Sequence, residues 1–521
     1  MNQGGGGTPS LRGPDLAAAT TGRSVLTGAS WSATGKLLPQ AYTLAVSVAA
    51  ARFLTSGEFG RQSFIAFVEL SLVMLLTAGL PIGLMRYIGE TLGRGRPDVV
   101  RGLIRWAWGV EFAAAALGTA VMLVCAALGA EPTGAWALAG IACGLGILHT
   151  VPSALLVGAQ LWRSATIAGL VNGVIATFAT VGVLWAGGGM TGMFAVEAAT
   201  SVLILIWTTI LARRAEIRLS AVAARAGAVR DAVIRWTLVA SIGVALNFVV
   251  WRRSELFFLN AFSTDTEIAV YSIAFALVTA MVRIPEALAE VSSPAIATLF
   301  GAGEHERINA GYARAARLAL IMALPLTAAG FALGPPAIQT IWGSRYHEAG
   351  PVLLIMLSTF PFLPTFSIAR GALVGVGRQR TLIGASAFAA AVDIGLALLL
   401  VPPFAAVGAA LANAGAQVAA GVPIIAAGRR TFGRVDWAPG AVLRTTVASV
   451  VAALVALAVD RALGGVAGLV LGLAVGTSAF IAGAAIVKIL PADDAHWIDD
   501  AIGRRVHGQV GRLALLCARG S

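Results

Sequence analysis

Charge is what this 521-residue chain has least of: 12% of its residues are Asp, Glu, Lys or Arg, where about 25% is usual for a soluble globular protein. With 58% hydrophobic residues and a mean hydropathy of +0.84, a soluble globular fold is excluded. Reactive and metal-binding side chains are also scarce. The three cysteines, Cys125, Cys143 and Cys517, stand singly, and His149, His305, His347, His496 and His507 form no HxxxH pair, so neither a disulfide framework nor a metal site has a basis. The opening MNQGGGGTPSLRGPDLAAATTGR has no short apolar core followed by a cleavage site, so no removable signal peptide is expected and the first helix is expected to direct insertion. Lysine is nearly missing, with two against 35 arginines. A net charge of +12 would suggest nucleic acid in a soluble chain, but here the arginines sit between apolar runs, where membrane orientation explains them; no nucleic-acid partner is expected.

What the chain does have is apolar windows of about 20 residues along nearly its whole length, the signature of an α-helical bundle and not of a β-barrel. The expected fold is therefore an all-α polytopic membrane protein with about 14 transmembrane helices. These are placed at 25–53, 61–85, 103–129, 134–158, 165–187, 190–212, 237–261, 267–299, 315–338, 351–375, 382–402, 405–428, 441–460 and 465–489. Alternate connections divide by charge. One set carries Arg94, Arg96 and Arg101, then Arg163, Arg213, Arg214, Arg225, Arg307, Arg378, Arg380, Arg429 and Arg430, while the other holds only Arg345 and Arg461. By the positive-inside rule the basic connections and both termini are expected in the cytoplasm, in a multi-pass protein of a bacterial inner membrane.

The expected organisation is a cytoplasmic tail (1–24), an N-lobe of helices 1–6 (25–212), a basic connecting segment (213–236), a C-lobe of helices 7–12 (237–428), helices 13–14 (441–489) and a cytoplasmic C-terminal tail (490–521). Arg163 precedes Arg213 and Arg214 by 50 and 51 residues, and Arg380 precedes Arg429 and Arg430 by 49 and 50, two spans lying in each interval. Two six-helix lobes in parallel repeat, with a substrate site near the midplane between them, follow from that spacing. The connecting segment and the tail read either as amphipathic surface helices or as plain solvated basic ones.

The charges that do enter the apolar runs are concentrated between Asn247 and Phe300, where Arg252, Arg253, Glu255, Arg283, Glu286 and Glu290 fall in two neighbouring spans. Each charge at the centre of a bilayer costs about 2.5–3.5 kcal/mol on insertion scales, so the group implies a protein-lined or watered cavity. On continuous helices Arg252 and Glu255 would share one face, as would Arg283, Glu286 and Glu290, and an Arg252–Glu255 pair would leave Arg253 the freer cation. Lys36 stands about ten residues into the first span, roughly 15 Å deep at 1.5 Å per residue, too deep to reach the interface easily. Glu69, Glu111 and Glu197 are single intramembrane acids, with Arg105 a candidate partner for Glu111. Trp31, Trp106, Trp108, Trp162, Trp185 and Trp236 fit an interfacial belt, and Pro39, Pro81, Pro152, Pro285 and Pro325 are candidate bends.

The motifs AARFLTSGEFG (50–60), LMRYIGE (84–90), WRRSELFFLNAFSTDTEIAVYSIAFAL (251–277), PAIATLFGAGEHE (294–306), IWGSRYHEAGPVLLIM (341–356) and LLLVPPFAAVGAALANAGAQ (398–417) occur in an order that resembles the polysaccharide-transport flippases, the Wzx-type O-antigen and oligosaccharide flippases. These belong to the multidrug/oligosaccharidyl-lipid/polysaccharide exporter superfamily, which more distantly includes the lipid II flippase. The resemblance implies two six-helix lobes that carry an undecaprenyl-pyrophosphate-linked oligosaccharide, a lipopolysaccharide or other cell-envelope glycan precursor, across the inner membrane by alternating access. It implies no enzymatic activity. It further implies a cationic cavity, to which Lys36, Arg252, Arg253 and Arg283 are assigned as substrate-binding candidates. Glu255, Glu286, Glu290 and Asp393 are the ion-coupling candidates, with Na+ or H+ as the coupling ion and no other cofactor. Asp393 stands where the family usually has Asn, which leaves its coupling role open. Partners implied are the lipid-linked oligosaccharide, membrane lipids, and a polysaccharide polymerase and glycosyltransferases. A cation-coupled small-molecule or drug exporter of the same superfamily is the nearer alternative; a polytopic glycosyltransferase or polymerase, which would need a loop domain or paired-acid metal site, is the farther one.

Overall fold

A computed structural model describes residues 22–219, 227–251, 253–301, 304–498 and 515–518, and for some helical residues, among them 22–37 and 283–299, the backbone alone. The elements are helices: α1 (Gly22–Phe53), α2 (Ser56–Thr77), α3 (Leu80–Gly93), α4 (Pro97–Ala127), α5 (Thr133–Gly158), α6 (Trp162–Trp185), α7 (Gly189–Leu219), α8 (Gly227–Trp251), α9 (Glu255–Phe262), α10 (Asp265–Gly301), α11 (His305–Ile341), α12 (Ala349–Leu357), α13 (Leu363–Gly375), α14 (Gln379–Phe432), α15 (Pro439–Leu463), α16 (Gly465–Val487) and α17 (Ala492–Ile498). An apolar solvent leaves backbone N–H and C=O groups no partner but each other, and within one segment only the helix satisfies them all.

Twelve helical segments among the described residues are long and apolar enough to cross a membrane. One of these, α14, is two helices: Ala405 at φ 45°, ψ −125° interrupts it. A Cβ on Gly408 would lie 2.0 Å from the Leu400 carbonyl oxygen, and one on Gly415 would lie 2.5 Å from Leu396, so the two halves run back antiparallel and close together. Glu267 accepts from the Ala406 N–H at 3.1 Å, placing a carboxylate at the start of the second half where the helix dipole favours it. Helix α1, 32 residues long, is not among those twelve.

Several expected spans are interrupted. The span at 61–85 is divided at Ala78 (φ 45°) into α2 and α3, with Pro81 in the first turn of α3, where a proline costs no hydrogen bond. The span at 237–261 is divided into α8 and α9 around Arg253, whose φ of 58° no continuing α-helix adopts. Pro39, Pro152 and Pro325 lie inside unbroken helices and shape them without ending them. No separate surface helix joins the halves among the described residues: α7 and α8 extend into the basic connection, and residues 220–226 lie outside the described ones.

The helices form two compact units, one of residues up to Thr43 together with Glu69–Ser241, the other of Leu44–Val68 together with the chain from Ile242 onward. In the first, Leu84, Ile88, Leu103, Val151 and Leu155 form a core shared by α3, α4 and α5. In the second, Thr55 and Glu58 cap the start of α2 reciprocally, the Thr55 N–H donating to Glu58 Oε2 at 2.9 Å and the Glu58 N–H to Thr55 Oγ1 at 3.2 Å. Helices α15 and α16 pack through Gly468, Gly472 and Gly476, where added Cβ atoms would fall 2.7–2.8 Å from the α15 backbone or side chains.

The terminal tail departs from a free surface helix. Asp494 in α17 is fully buried and receives Arg317 through Nε (2.7 Å) and Nη2 (2.6 Å) and Arg314 through Nε (3.1 Å). This bidentate grip ties α17 to α11.

Candidate functional site: a buried carboxylate network in the second unit

Glu255 opens α9 immediately after the break at Arg253 and is wholly buried. Both of its carboxyl oxygens accept hydrogen bonds from neutral donors: Oε2 from Tyr271 Oη at 2.8 Å and Oε1 from Asn413 Nδ2 at 2.7 Å. The chain of donors continues outward. Gln417 Nε2 donates to Asn413 Oδ1 at 2.7 Å, and Thr359 Oγ1 stands 2.5 Å from Gln417 Oε1, the shorter of its two acceptor contacts, the other being the Met356 carbonyl oxygen at 3.1 Å. Every dipole in this series points its positive end toward Glu255, and such chains polarise one another in a low-dielectric interior.

Asp393, also fully buried, lies on the first half of α14 while Asn413 and Gln417 lie on the second, so the hairpin at Ala405 carries both sides of the network. Ser254 Oγ stands 2.8 Å from Asp393 Oδ2 and 2.6 Å from the Val249 carbonyl oxygen. A hydroxyl has one proton and can donate to only one of those acceptors. Asp393 Oδ1 has no hydrogen-bond partner. Asp393 and Glu255 are within electrostatic reach of each other. Two carboxyl groups with hydroxyl and amide oxygens make a hard, oxygen-only donor set, of the kind that holds a hard cation or a proton. Among the described residues no group of three or more His, Cys, Asp or Glu could hold a metal ion.

The positive φ of Arg253 interrupts the helix between the positions of Arg252 and Glu255, and Glu255 accepts from Tyr271 and Asn413. Arg252 lies outside the described residues. Arg253 is half-buried, its guanidinium carbon 5.5 Å from the centroid of the Phe275 ring, which itself stacks on Tyr271 at 6.0 Å. The backbones of Lys36 in α1 and of Arg283, Glu286 and Glu290 in α10 are helical, and their side chains lie outside the described residues. Of the eight predicted site residues the structure therefore brings together Glu255 and Asp393, with Arg253 beside them. Tyr271, Asn413, Gln417, Thr359 and Ser254 were not singled out from the sequence; the signal available was the i, i+4 spacing of Asn413 and Gln417 in an otherwise small, apolar run.

The intramembrane acids of the first unit are less well answered. Glu111 is 1% exposed and neither of its carboxyl oxygens has a hydrogen-bond partner, so the expected pairing with Arg105 is not made; Glu69 Oε2 is likewise without one. Glu197 is exposed on α7.

Residues 254–399, which include Glu255, Tyr271, Thr359 and Asp393, match the MatE family model. No curated protein matches the chain. Among solved structures, the chain is similar to the lipid II flippase MurJ in an inward closed conformation (12% identity, 85% of this chain and 98% of that one, TM-score 0.56). It is similar also to an inward-facing multidrug resistance MATE family transporter of the MOP superfamily (15% identity, 76% and 94%, TM-score 0.64). A third is a MOP superfamily transporter from Pyrococcus furiosus, whose binding pocket of reverse polarity suggests a different function (14% identity, 78% and 95%, TM-score 0.59). The chain shares the fold of these MOP-superfamily proteins. Within this fold the carboxylate network sits in the part of the chain that also matches the MatE model, apart from Asn413 and Gln417 just beyond it.

Proposed function

We propose that the chain is a transporter, not an enzyme, and specifically a flippase that moves a polyprenyl-pyrophosphate-linked oligosaccharide across the inner membrane by alternating access. The observation that carries this reading is the extent of the likeness to the lipid II flippase, 85% of this chain and 98% of that one, where the multidrug transporter accounts for 76% of this chain. Sequence chemistry supports it: a pyrophosphate needs cations inside the membrane, and Lys36, Arg252, Arg253 and Arg283 lie in apolar runs. Cations in a watered cavity replace the hydration of the phosphates, while sugars need only adaptable polar contacts. A second reading, a cation-coupled exporter of small molecules, is favoured by the MatE match and by the higher TM-score of 0.64.

In either reading the Glu255–Asp393 pair is assigned to coupling. A proton on Asp393 would donate to Ser254 Oγ and free the Ser254 hydroxyl for Val249, removing the conflict between the two acceptors. A bound Na+ would instead take Asp393 Oδ1 and Glu255 as ligands. Moving one such charge through 100 mV is worth about 2.3 kcal/mol, enough to bias a two-state transporter.

The test of substrate is translocation of a fluorescent lipid-linked oligosaccharide by the purified protein in vesicles. Each lost charge-assisted contact to the pyrophosphate weakens binding by roughly 1.5–3 kcal/mol, so Lys36→Ala and Arg253→Ala are expected to abolish measurable translocation and Lys36→Arg to retain much of it. Full activity of the Lys36→Ala, Arg253→Ala double variant would end the flippase reading, and uptake of cationic drugs in its place would establish the exporter.

A further inference from the structure

The second half of α14 carries two members of the carboxylate network, Asn413 and Gln417, on a surface poorly suited to hold them in register. Residues 405–412 read AAVGAALA, and Ala406, Ala409, Ala410 and Ala412 are all buried. Helices fix their rotation against neighbours by interlocking side-chain ridges, and a face of alanine and glycine has little to interlock. A Cβ on Gly408 would meet the Leu400 carbonyl, so this half lies close against the first, but that contact limits its approach and not its rotation.

A directional hydrogen bond can supply what a smooth surface lacks. The Ala406 N–H stands at a helix start, where donors have no intrahelical partner, and it donates to Glu267 Oε2 at 3.1 Å. Asn413 follows Ala406 by seven residues, two turns, and rises from the same face about 10 Å further along. Glu267 itself stands one turn before Tyr271 on one face of α10. The two neutral donors to Glu255, Tyr271 at 2.8 Å and Asn413 at 2.7 Å, thus come from two helices that Glu267 ties together. Helix α10 is in turn fixed where it begins. Gly60 of α2 comes against the Asp265 carbonyl with no room for a Cβ, and Arg61 donates to Asp265 Oδ2 through Nε (3.0 Å) and Nη2 (2.7 Å). Ile268, Ala269 and Val270 just beyond Glu267 are buried, so Glu267 projects from an anchored helix onto a smooth one.

We propose that Glu267 is a positioning residue for the Glu255–Asp393 pair: by holding the Ala406 N–H it sets the reach of Asn413 to Glu255, and with it how tightly the pair holds a cation or a proton. The inference rests on the coupling role proposed above, and its test separates the two.

The thermal midpoint of the purified full-length protein in detergent is followed as NaCl replaces choline chloride at constant ionic strength, and in choline chloride alone as the pH is lowered. The part of either response that Asp393→Asn removes belongs to the pair. A ligand that binds the folded state raises the midpoint once its concentration passes the dissociation constant, so the onset of that part reads affinity. Losing a hydrogen bond to a charged group changes an equilibrium about tenfold or more, so in Glu267→Ala the onset is expected to move about tenfold to higher Na+, or by about one pH unit where the proton produces it. Glu267→Gln, whose amide oxygen still accepts from Ala406, is expected to match the parent. Glu267→Asp keeps the charge but falls short by a methylene, so it is expected to follow Glu267→Ala, and it carries the test if the alanine variant does not fold. Glu58→Ala, which removes a cap from α2 in the same unit, is expected to lower the thermal midpoint without moving the onset. An onset unmoved in both Glu267→Ala and Glu267→Asp, an equal displacement in Glu267→Gln, or one in Glu58→Ala would each overturn the positioning role while leaving the coupling role of the pair intact. A parent and an Asp393→Asn variant that answer both ions alike would instead end the coupling reading, and this inference with it.

Discussion

A carboxylate inside a helical bundle must be answered by donors, because leaving a charged group without partners costs several kcal/mol. Glu255 has two donors and the backing of a chain that reaches Thr359, whereas Asp393 shares one hydroxyl with a backbone carbonyl and keeps one bare oxygen. In the coupling role proposed for the pair, that asymmetry would make Glu255 the fixed acceptor and Asp393 the member whose state changes. Glu255→Gln turns an acceptor into a donor facing the Asn413 and Tyr271 donors, so it is expected to disturb the network as well as coupling. Asp393→Asn keeps the shape and removes only the titrating or ligating group. Gradient-driven transport by Asp393→Asn is expected to fall at least about tenfold, while its melting temperature in detergent stays within a few degrees of the parent, since the replacement is nearly isosteric. A variant that responds to the gradient as the parent does would remove Asp393 from coupling. The charged members of the site were legible in the sequence because an ionisable residue in an apolar run stands out. Tyr271, Asn413 and Gln417 were not, since neutral polar residues are common in helices and their meeting at Glu255 depends on the α14 hairpin.

At the scale of elements, the crossings could be counted from 20-residue apolar windows, but their internal breaks could not be placed. Ala78, Arg253 and Ala405 all take positive φ without being glycine, so the usual residue signal for a left-handed turn is missing at each. The turn at Ala405, unlike the other two, falls at the connection expected between the spans at 382–402 and 405–428, which Pro402 and Pro403 mark. The consequence was largest at Arg253, where a one-face argument for Arg252 and Glu255 rested on a helix that stops. The C-terminal tail shows the opposite failure: it reads as a surface or solvated basic helix, yet Asp494 is buried against Arg314 and Arg317. Breaking a buried ion pair by removing one partner typically costs about 3–5 kcal/mol. Asp494→Asn is expected to lower the thermal midpoint measurably and to make the segment around Ala492–Ile498 accessible to protease, with Asp493→Asn, whose residue is exposed, as the neutral control. Identical melting and cleavage in the two variants would show that the tail is not held by this residue.

For the whole molecule the sidedness remains to be argued from charge. Gly187 and Ser263 lie in connections poor in arginine, and Arg163 and Arg380 in connections that belong to the basic set. Retention of arginine-rich loops in the cytoplasm while the spans insert is expected to leave the first pair outside and the second inside. Cysteine labelling can read this directly because the native thiols are poor targets. Cys143 is buried, Cys125 half-buried, and burial pushes the Cys517 thiol above its ordinary range, so near neutral pH it holds less of the thiolate that reacts. In a background with all three native cysteines replaced by Ser, an impermeant maleimide added to intact cells is expected to label Gly187→Cys and Ser263→Cys, and to reach Arg163→Cys and Arg380→Cys only after permeabilisation. Gly187, Arg163 and Arg380 are exposed, so failure to label them cannot be blamed on packing. The four positions also constrain the crossing count. Gly187 and Ser263 share a side only if the number of crossings between them is even, as it is when α7 is one crossing and α8 with α9 is a single interrupted one. Labelling of Gly187→Cys and Ser263→Cys from opposite sides would therefore show that α8 and α9 do not complete a crossing, and would remove the α9 network from the membrane interior on which its proposed coupling role depends.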